Sequence, residues 1–174
     1  TATAVLTALG VVSSLVRMLD VGAYRRRIAG APLTRAEAVV WERRYAAGSV
    51  IMAFLLGLFA ARSLMLEDAI CSVMAIGIGF GFGAGVVTRL SLRPAIAIVD
   101  LGVIGIPIIV TAFLQKLDAP HIGLGLMMTI YMIGSFEMVR LARKSILNQM
   151  VLKQQYEQLS RTDPMTGLLN RSVL

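Results

Sequence analysis

One carboxylate stands inside an apolar stretch: Asp100, within the run Ala95–Leu114. It lies six residues past Pro94, about 9 Å along a helix. A charge near mid-membrane costs about 2.5–3.5 kcal/mol on insertion scales, so this side chain must face other helices or bind a proton. Two roles fit it. One is a sensing or proton-responsive group; the other is a buried hydrogen bond to a neighbouring hydroxyl or backbone group. Pro107 in the same run invites a kink that opens a cavity. Little else in the chain has the residue types for chemistry. His121 is the sole histidine and Cys71 the sole cysteine, so no His-based metal site, triad or internal disulfide can be assembled. Cys71 reads as a small packing residue. The glycine-rich stretch Gly77–Gly85 lacks both the spacing and the following lysine of a phosphate loop. Its glycines form two rows, Gly77, Gly81 and Gly85 on one helical face and Gly79 and Gly83 on another. Small residues four apart let helix backbones approach, so Gly77, Gly81 and Gly85 are expected to pack a neighbouring helix. No catalytic, cofactor-binding or metal-ligating residue is assigned.

The elements that position these groups are membrane helices. The chain is 57% hydrophobic and only 16% charged, with mean hydropathy +0.77, which excludes an ordinary soluble domain. Five apolar segments are long enough, with flanks, to cross a bilayer: Thr3–Leu19, Ala46–Ala61, Ala69–Thr88, Ala95–Leu114 and about Ala119–Phe136. Of the 17 Lys and Arg residues, only Arg62 and Lys116 fall in the second and fourth connections. The remainder mark the first and third connections and the tail as cytoplasmic. Five spans then put Thr1 outside. The first apolar run has no basic leader, which predicts a membrane helix of a trimmed chain rather than a signal peptide. The net charge of +7 is this topological bias and not a nucleic-acid surface, because no basic patch is interleaved with base-stacking aromatics. The expected partner is the lipid bilayer, the expected location the bacterial cytoplasmic membrane.

The first cytoplasmic connection carries local signals. Ala31-Pro32-Leu33 breaks a helix, and Thr34 with Glu37 three residues later forms a capping box for the next. Trp41 and Tyr45 follow, flanking Arg43 and Arg44. Aromatic rings and arginines at the end of a span suit the headgroup layer, so Trp41 and Tyr45 are expected to be interfacial anchors.

From Glu137 the apolar run passes without a break into a charged, glutamine-rich helix that meets no Gly or Pro until Pro164. Met138, Ala142, Ser145, Gln149, Leu152, Tyr156 and Leu159 step 4-3-4-3-4-3, a heptad seam with a polar middle. A second track, Val139, Ala142, Ile146 and Met150, competes in the first half. The seam predicts a parallel homodimer through residues 138–159; the alternative is a lone amphipathic linker.

The tail Leu159-Ser-Arg-Thr-Asp-Pro-Met-Thr-Gly-Leu-Leu-Asn-Arg171 resembles the opening motif of GGDEF (diguanylate cyclase) domains, which follows a helix in that family. Asp163, Thr166, Gly167, Leu168, Asn170 and Arg171 match it, and Met165 stands where Leu is usual. Asp163-Pro164 ends the helix, and Gly167 permits a tight turn. The resemblance covers about 15 residues. It implies an α/β catalytic domain continuing past Leu174, with GTP as substrate, Mg2+ as cofactor and cyclic di-GMP as product. In that family two domains meet face to face, and each 3′-hydroxyl attacks the α-phosphate of the other nucleotide. The catalytic and metal-binding residues would lie beyond this sequence.

The expected fold is therefore all-α: a polytopic transmembrane bundle of about five spans, a cytoplasmic signalling helix and the first residues of an α/β GGDEF domain. The expected divisions are 1–136, 137–161 and 162–174. The expected function is the membrane sensor and transmitter of a diguanylate cyclase. Alternatives are a GGDEF–EAL protein with net cyclic di-GMP phosphodiesterase activity, and a small transporter or scaffold with a chance tail match.

Overall fold

Each apolar segment becomes one long helix. A computed structural model describes residues 2–30, 32–66, 68–115 and 118–161, and side chains as far as Tyr156. The described residues form α1 (Ala2–Gly30), α2 (Arg35–Leu64), α3 (Ala69–Leu90), α4 (Pro94–Gln115) and α5 (Ala119–Arg161), with no strand among them. All five contain a stretch long and apolar enough to cross a membrane, and the chain is a multi-pass membrane protein. The opening motif at Asp163–Arg171 and the last part of the tail lie outside the described residues.

The helix ends follow their sequence signals. At the start of α2 the Glu37 amide donates to the Thr34 hydroxyl oxygen at 3.3 Å, and the Thr34 amide donates to the Glu37 carboxylate at 3.0 Å. Both arms of the capping box are thus closed. Arg27, near the end of α1, pairs with the other Glu37 oxygen at 2.7 Å and ties the two helices across their turn. Asp68 caps α3 by accepting from the Cys71 amide at 3.0 Å. Asp118 accepts from the His121 amide at 3.1 Å and contacts the His121 ring at 2.5 Å.

The Glu37 carboxyl is held well below its ordinary value of 4.5, at about 2, first by the Thr34 amide and then by Arg27 and the Thr34 hydroxyl. A lowered folded-state value means that its contribution is complete above about 4.5 and is lost as pH falls toward about 2. Acidification through that window should lower the protection of the first amides of α2, measured as exchange relative to the intrinsic rate at each pH. Glu37→Gln should abolish the pH dependence; a Glu37→Gln profile that still steps between those values would remove Glu37 as its cause.

The bundle orders itself around α4, which packs against α2, α3 and α5, while α1 lies along α2. Arg93, just before α4, pairs with Glu42 near the start of α2 at 3.2 Å. At the other end the Gln115 side chain donates to the Leu64 carbonyl at 3.2 Å. So α2 and α4 run in the same direction, and α3 returns between them. The final helix also returns: Val139 is buried beside Ala97 and Leu101, with Tyr45 against the same cluster. Contact with the bundle therefore continues past Phe136, and α5 leaves it at the arginine-rich end.

Lipid offers no hydrophobic drive for helix association, so packing rests on small residues and polar links. The buried face of α2 is a ladder of Ser49, Ala53, Gly57 and Ala61. A Cβ on Gly57 would sit 2.9 Å from the Val103 carbonyl oxygen and 3.1 Å from the Ile104 Cα. Val103 precedes Pro107 by four residues, so its carbonyl is the one that Pro107, lacking an N–H, leaves without a helical donor. The helix is nonetheless continuous through Pro107.

The glycine face expected to pack in α3 meets no neighbour among the described residues of this chain. Gly77, Gly81 and Gly85 have nothing among the described residues within 4 Å of an added Cβ. Gly79 and Gly83 are the buried row, against Met128 and Ile108 at 3.1 Å and the Tyr131 hydroxyl at 2.6 Å. Tyr131 reaches over this row to donate to the Phe80 carbonyl at 2.9 Å. An apolar helix has no polar face to announce which side turns inward.

Candidate functional site

Asp100 faces the bundle interior and is fully buried. Its position follows from α4: Ala97, Asp100, Leu101, Ile104 and Ile108 lie at helical spacing on the inner face. The hydroxyl partner is Ser49, on the small-residue ladder of α2, which donates to Asp100 Oδ2. The other carboxylate oxygen, Oδ1, is buried without a hydrogen-bond partner among the described residues. A carboxyl with one oxygen held and one free is a group that can take a proton or a further donor without dismantling its surroundings. Ser49 had no place among the sequence expectations. Its only signals are its hydroxyl and its place four residues before Ala53 on the ladder.

Arg17, from α1, reaches α2 beside this pair. Its stem packs on Gly48, where a Cβ would lie 3.2 Å from the Arg17 Cγ. Gly48 adjoins Ser49, so the arginine and the acid reach α2 at neighbouring residues. Arg17 also stands over the Tyr45 ring, 5.6 Å from its centroid, and Arg93 stands 5.8 Å from the same ring.

These residues belong to a cavity of about 410 Å³ between α1 and α2 at the arginine-rich end. Four arginines line it, Arg17, Arg25, Arg44 and Arg93, against two carboxylates, Asp20 and Glu42. Trp41 and Tyr45, expected as headgroup anchors, are half-buried in its wall. Trp41 meets Tyr24 edge to face at 5.5 Å, and Arg44 lies 5.3 Å from the indole. The cavity expected at Pro107 is thus not the one described; this one lies at the end of the bundle where α4 begins.

The last helix, α5, is unbroken over 43 residues, from the last span to Arg161. Its two heptad tracks part company. Val139 is fully buried against the bundle, and Ala142 and Ile146 are half-buried. Of the other track, Met138, Ser145, Gln149, Leu152 and Tyr156 are exposed, while Leu159 lies outside the described side chains. The competing track meets the chain's own bundle at Val139, shares the half-buried Ala142 with the first seam and is exposed again at Met150, while the first seam is exposed at every other described position. No group of three or more metal-ligating side chains occurs among the described residues. No protein-family model, curated protein or solved structure matches the chain.

Proposed function

We propose that this chain is the sensor and transmitter region of a membrane-bound diguanylate cyclase. The observation that carries the reading is α5: one helix begins in the last span, leaves at the arginine-rich end and leads to the Asp163–Arg171 motif. A rigid helix conveys rotation or displacement of a bundle to whatever follows it, and two GTP-bearing domains react only when held in register. The uncovered seam supports a parallel homodimer through residues 138–159. Mg2+ and GTP belong to the catalytic domain that the motif opens. In this reading the membrane is the bacterial cytoplasmic membrane with the tail inside, Asp100 is the group whose state the bundle reports, and Trp41 and Tyr45 sit at the inner headgroup layer.

The deciding measurement is cyclic di-GMP in cells producing the full-length protein. Its level should rise on production of the wild type and change on Asp100→Asn with membrane insertion intact. A level that falls would favour a GGDEF–EAL phosphodiesterase, and no change with either protein would sink the signalling reading. Orientation has its own check. Reporter fusions after Glu67 or Lys116 should read outside, and those after Arg27, Arg93 or Arg161 cytoplasm. A cytoplasmic signal at Lys116 would overturn the topology.

A further inference from the structure

Three of the four arginines around the α1–α2 cavity are unsatisfied. Arg93 is paired with Glu42, but Arg17, Arg25 and Arg44 make no hydrogen bond or ion pair among the described residues. Asp20 shares the wall and bonds none of them. Two guanidinium groups also converge on one ring, Tyr45, although like charges repel. A net positive cavity of this kind is complementary to an anion that several guanidinium groups can grip at once. The remaining wall includes Tyr24, Trp41 and Tyr45, rings that already carry guanidinium groups, Arg44 on Trp41 and Arg17 and Arg93 on Tyr45. The volume, about 410 Å³, falls in the range of small-molecule sites.

We propose that this cavity binds a phosphate-bearing anion, its phosphoryl oxygens held by Arg17, Arg25 and Arg44. The ligand chemistry has two sources, the headgroup of an anionic phospholipid or a soluble phosphate ester. The inference stands apart from the diguanylate cyclase reading, since it needs only α1 and α2. It does bear on Asp100: a phosphate that draws the Arg17 guanidinium toward the cavity takes positive charge away from the carboxylate beside Ser49.

The chain supplies its own reporter, because Trp41 is its only tryptophan and lies in the wall. The chain in neutral detergent would be titrated with short-chain phosphatidylglycerol, short-chain phosphatidylcholine, inorganic phosphate and glycerol 3-phosphate. Trp41 fluorescence would be followed, and native mass spectrometry would count bound ligand. Saturable binding of phosphatidylglycerol but of neither soluble phosphate identifies a lipid site. Saturable binding of a soluble phosphate identifies a metabolite site. Both outcomes support the proposal. Arg25→Gln and Arg26→Gln separate the cavity from general attraction: they remove the same charge one residue apart, and only Arg25 lines the cavity. Arg25→Gln should raise the half-saturation concentration about fivefold or more, the scale of one partly screened charge-assisted hydrogen bond, and Arg26→Gln by less than about twofold. The proposal is overturned by no saturable binding of any anion, by equal binding of phosphatidylcholine, or by equal losses in the two variants.

Discussion

On the proposed diguanylate cyclase reading, inserting four residues after Gln149 should change cyclic di-GMP production by the full-length protein about tenfold or more, whereas inserting seven should leave it within about twofold. Each residue turns about 100°, so four added residues rotate everything downstream by about 40° and displace it by about 6 Å. Seven displace it further, by about 10 Å, yet rotate it by only about 20° the other way, and by almost nothing in a supercoiled heptad frame. The pair therefore separates phase from length. Phase matters because the exposed track through Met138, Gln149 and Leu152 is the one free to meet a second copy. Its polar middle, Ser145 and Gln149, holds alternative packings close in energy. A mispositioning of about 1 Å between reacting groups costs about a hundredfold in rate, so a phase error propagated to two facing domains should be conspicuous. Equal effects of the two insertions would reduce α5 to a passive tether.

Gly57→Ala should destabilise the bundle by about 1–3 kcal/mol, the usual cost of overpacking a close contact. The added methyl would meet the Val103 carbonyl oxygen at 2.9 Å and the Ile104 Cα at 3.1 Å. Both are backbone atoms, so no side chain can swing aside; α2 and α4 must part. The matched control is Gly81→Ala in α3, where an added Cβ meets nothing among the described residues within 4 Å. There the change should be neutral or stabilising by up to about 1 kcal/mol, because Gly is the poorer helix former. Thermal unfolding of the two variants in detergent, followed by loss of monodisperse protein, measures the difference. A Gly81→Ala variant that falls as far as Gly57→Ala would mean that the open glycine row packs after all, against something outside this chain.

The sequence announced elements more readily than faces. The five apolar runs and the Thr34–Glu37 box are local signals, carried by adjacent residues, and they became α1 to α5 and a closed capping box. The end of α1 moved outward to Gly30, adding turns with Arg25, Arg26 and Arg27 that its apolar run does not reveal, whereas the box at Thr34 had already marked the start of α2 at Arg35. Which side of an apolar helix turns inward is not local. The glycine repeat in α3 offered two rows, and the conspicuous one proved to be outside. On α2 a quieter repeat, Ser49, Ala53, Gly57 and Ala61, carries the packing, legible in its period of four but masked by the large residues between. The Ser49–Asp100 bond joins residues 51 apart. Only the antiparallel return of α3, which sets α2 beside α4, brings them together. Asp100 itself was conspicuous because a lone charge in an apolar run has few reasons to be there.

The close approach at Gly57 makes α2 a beam resting on a fulcrum. From that point the helix extends seven residues to Leu64 but 22 to Arg35, so the arms are about 10 Å and about 33 Å. A tilt of about 5° about the pivot would shift the Leu64 end by roughly 1 Å and the Arg35 end by roughly 3 Å. Ser49, eight residues along the long arm, would move by about 1 Å, sufficient to part a hydrogen bond. The Leu64 end, further steadied by Gln115, would hardly stir. Leverage of this shape would turn a slight rocking in the bilayer into a displacement concentrated at the end where α1 lies on α2, the arginines gather and α5 departs.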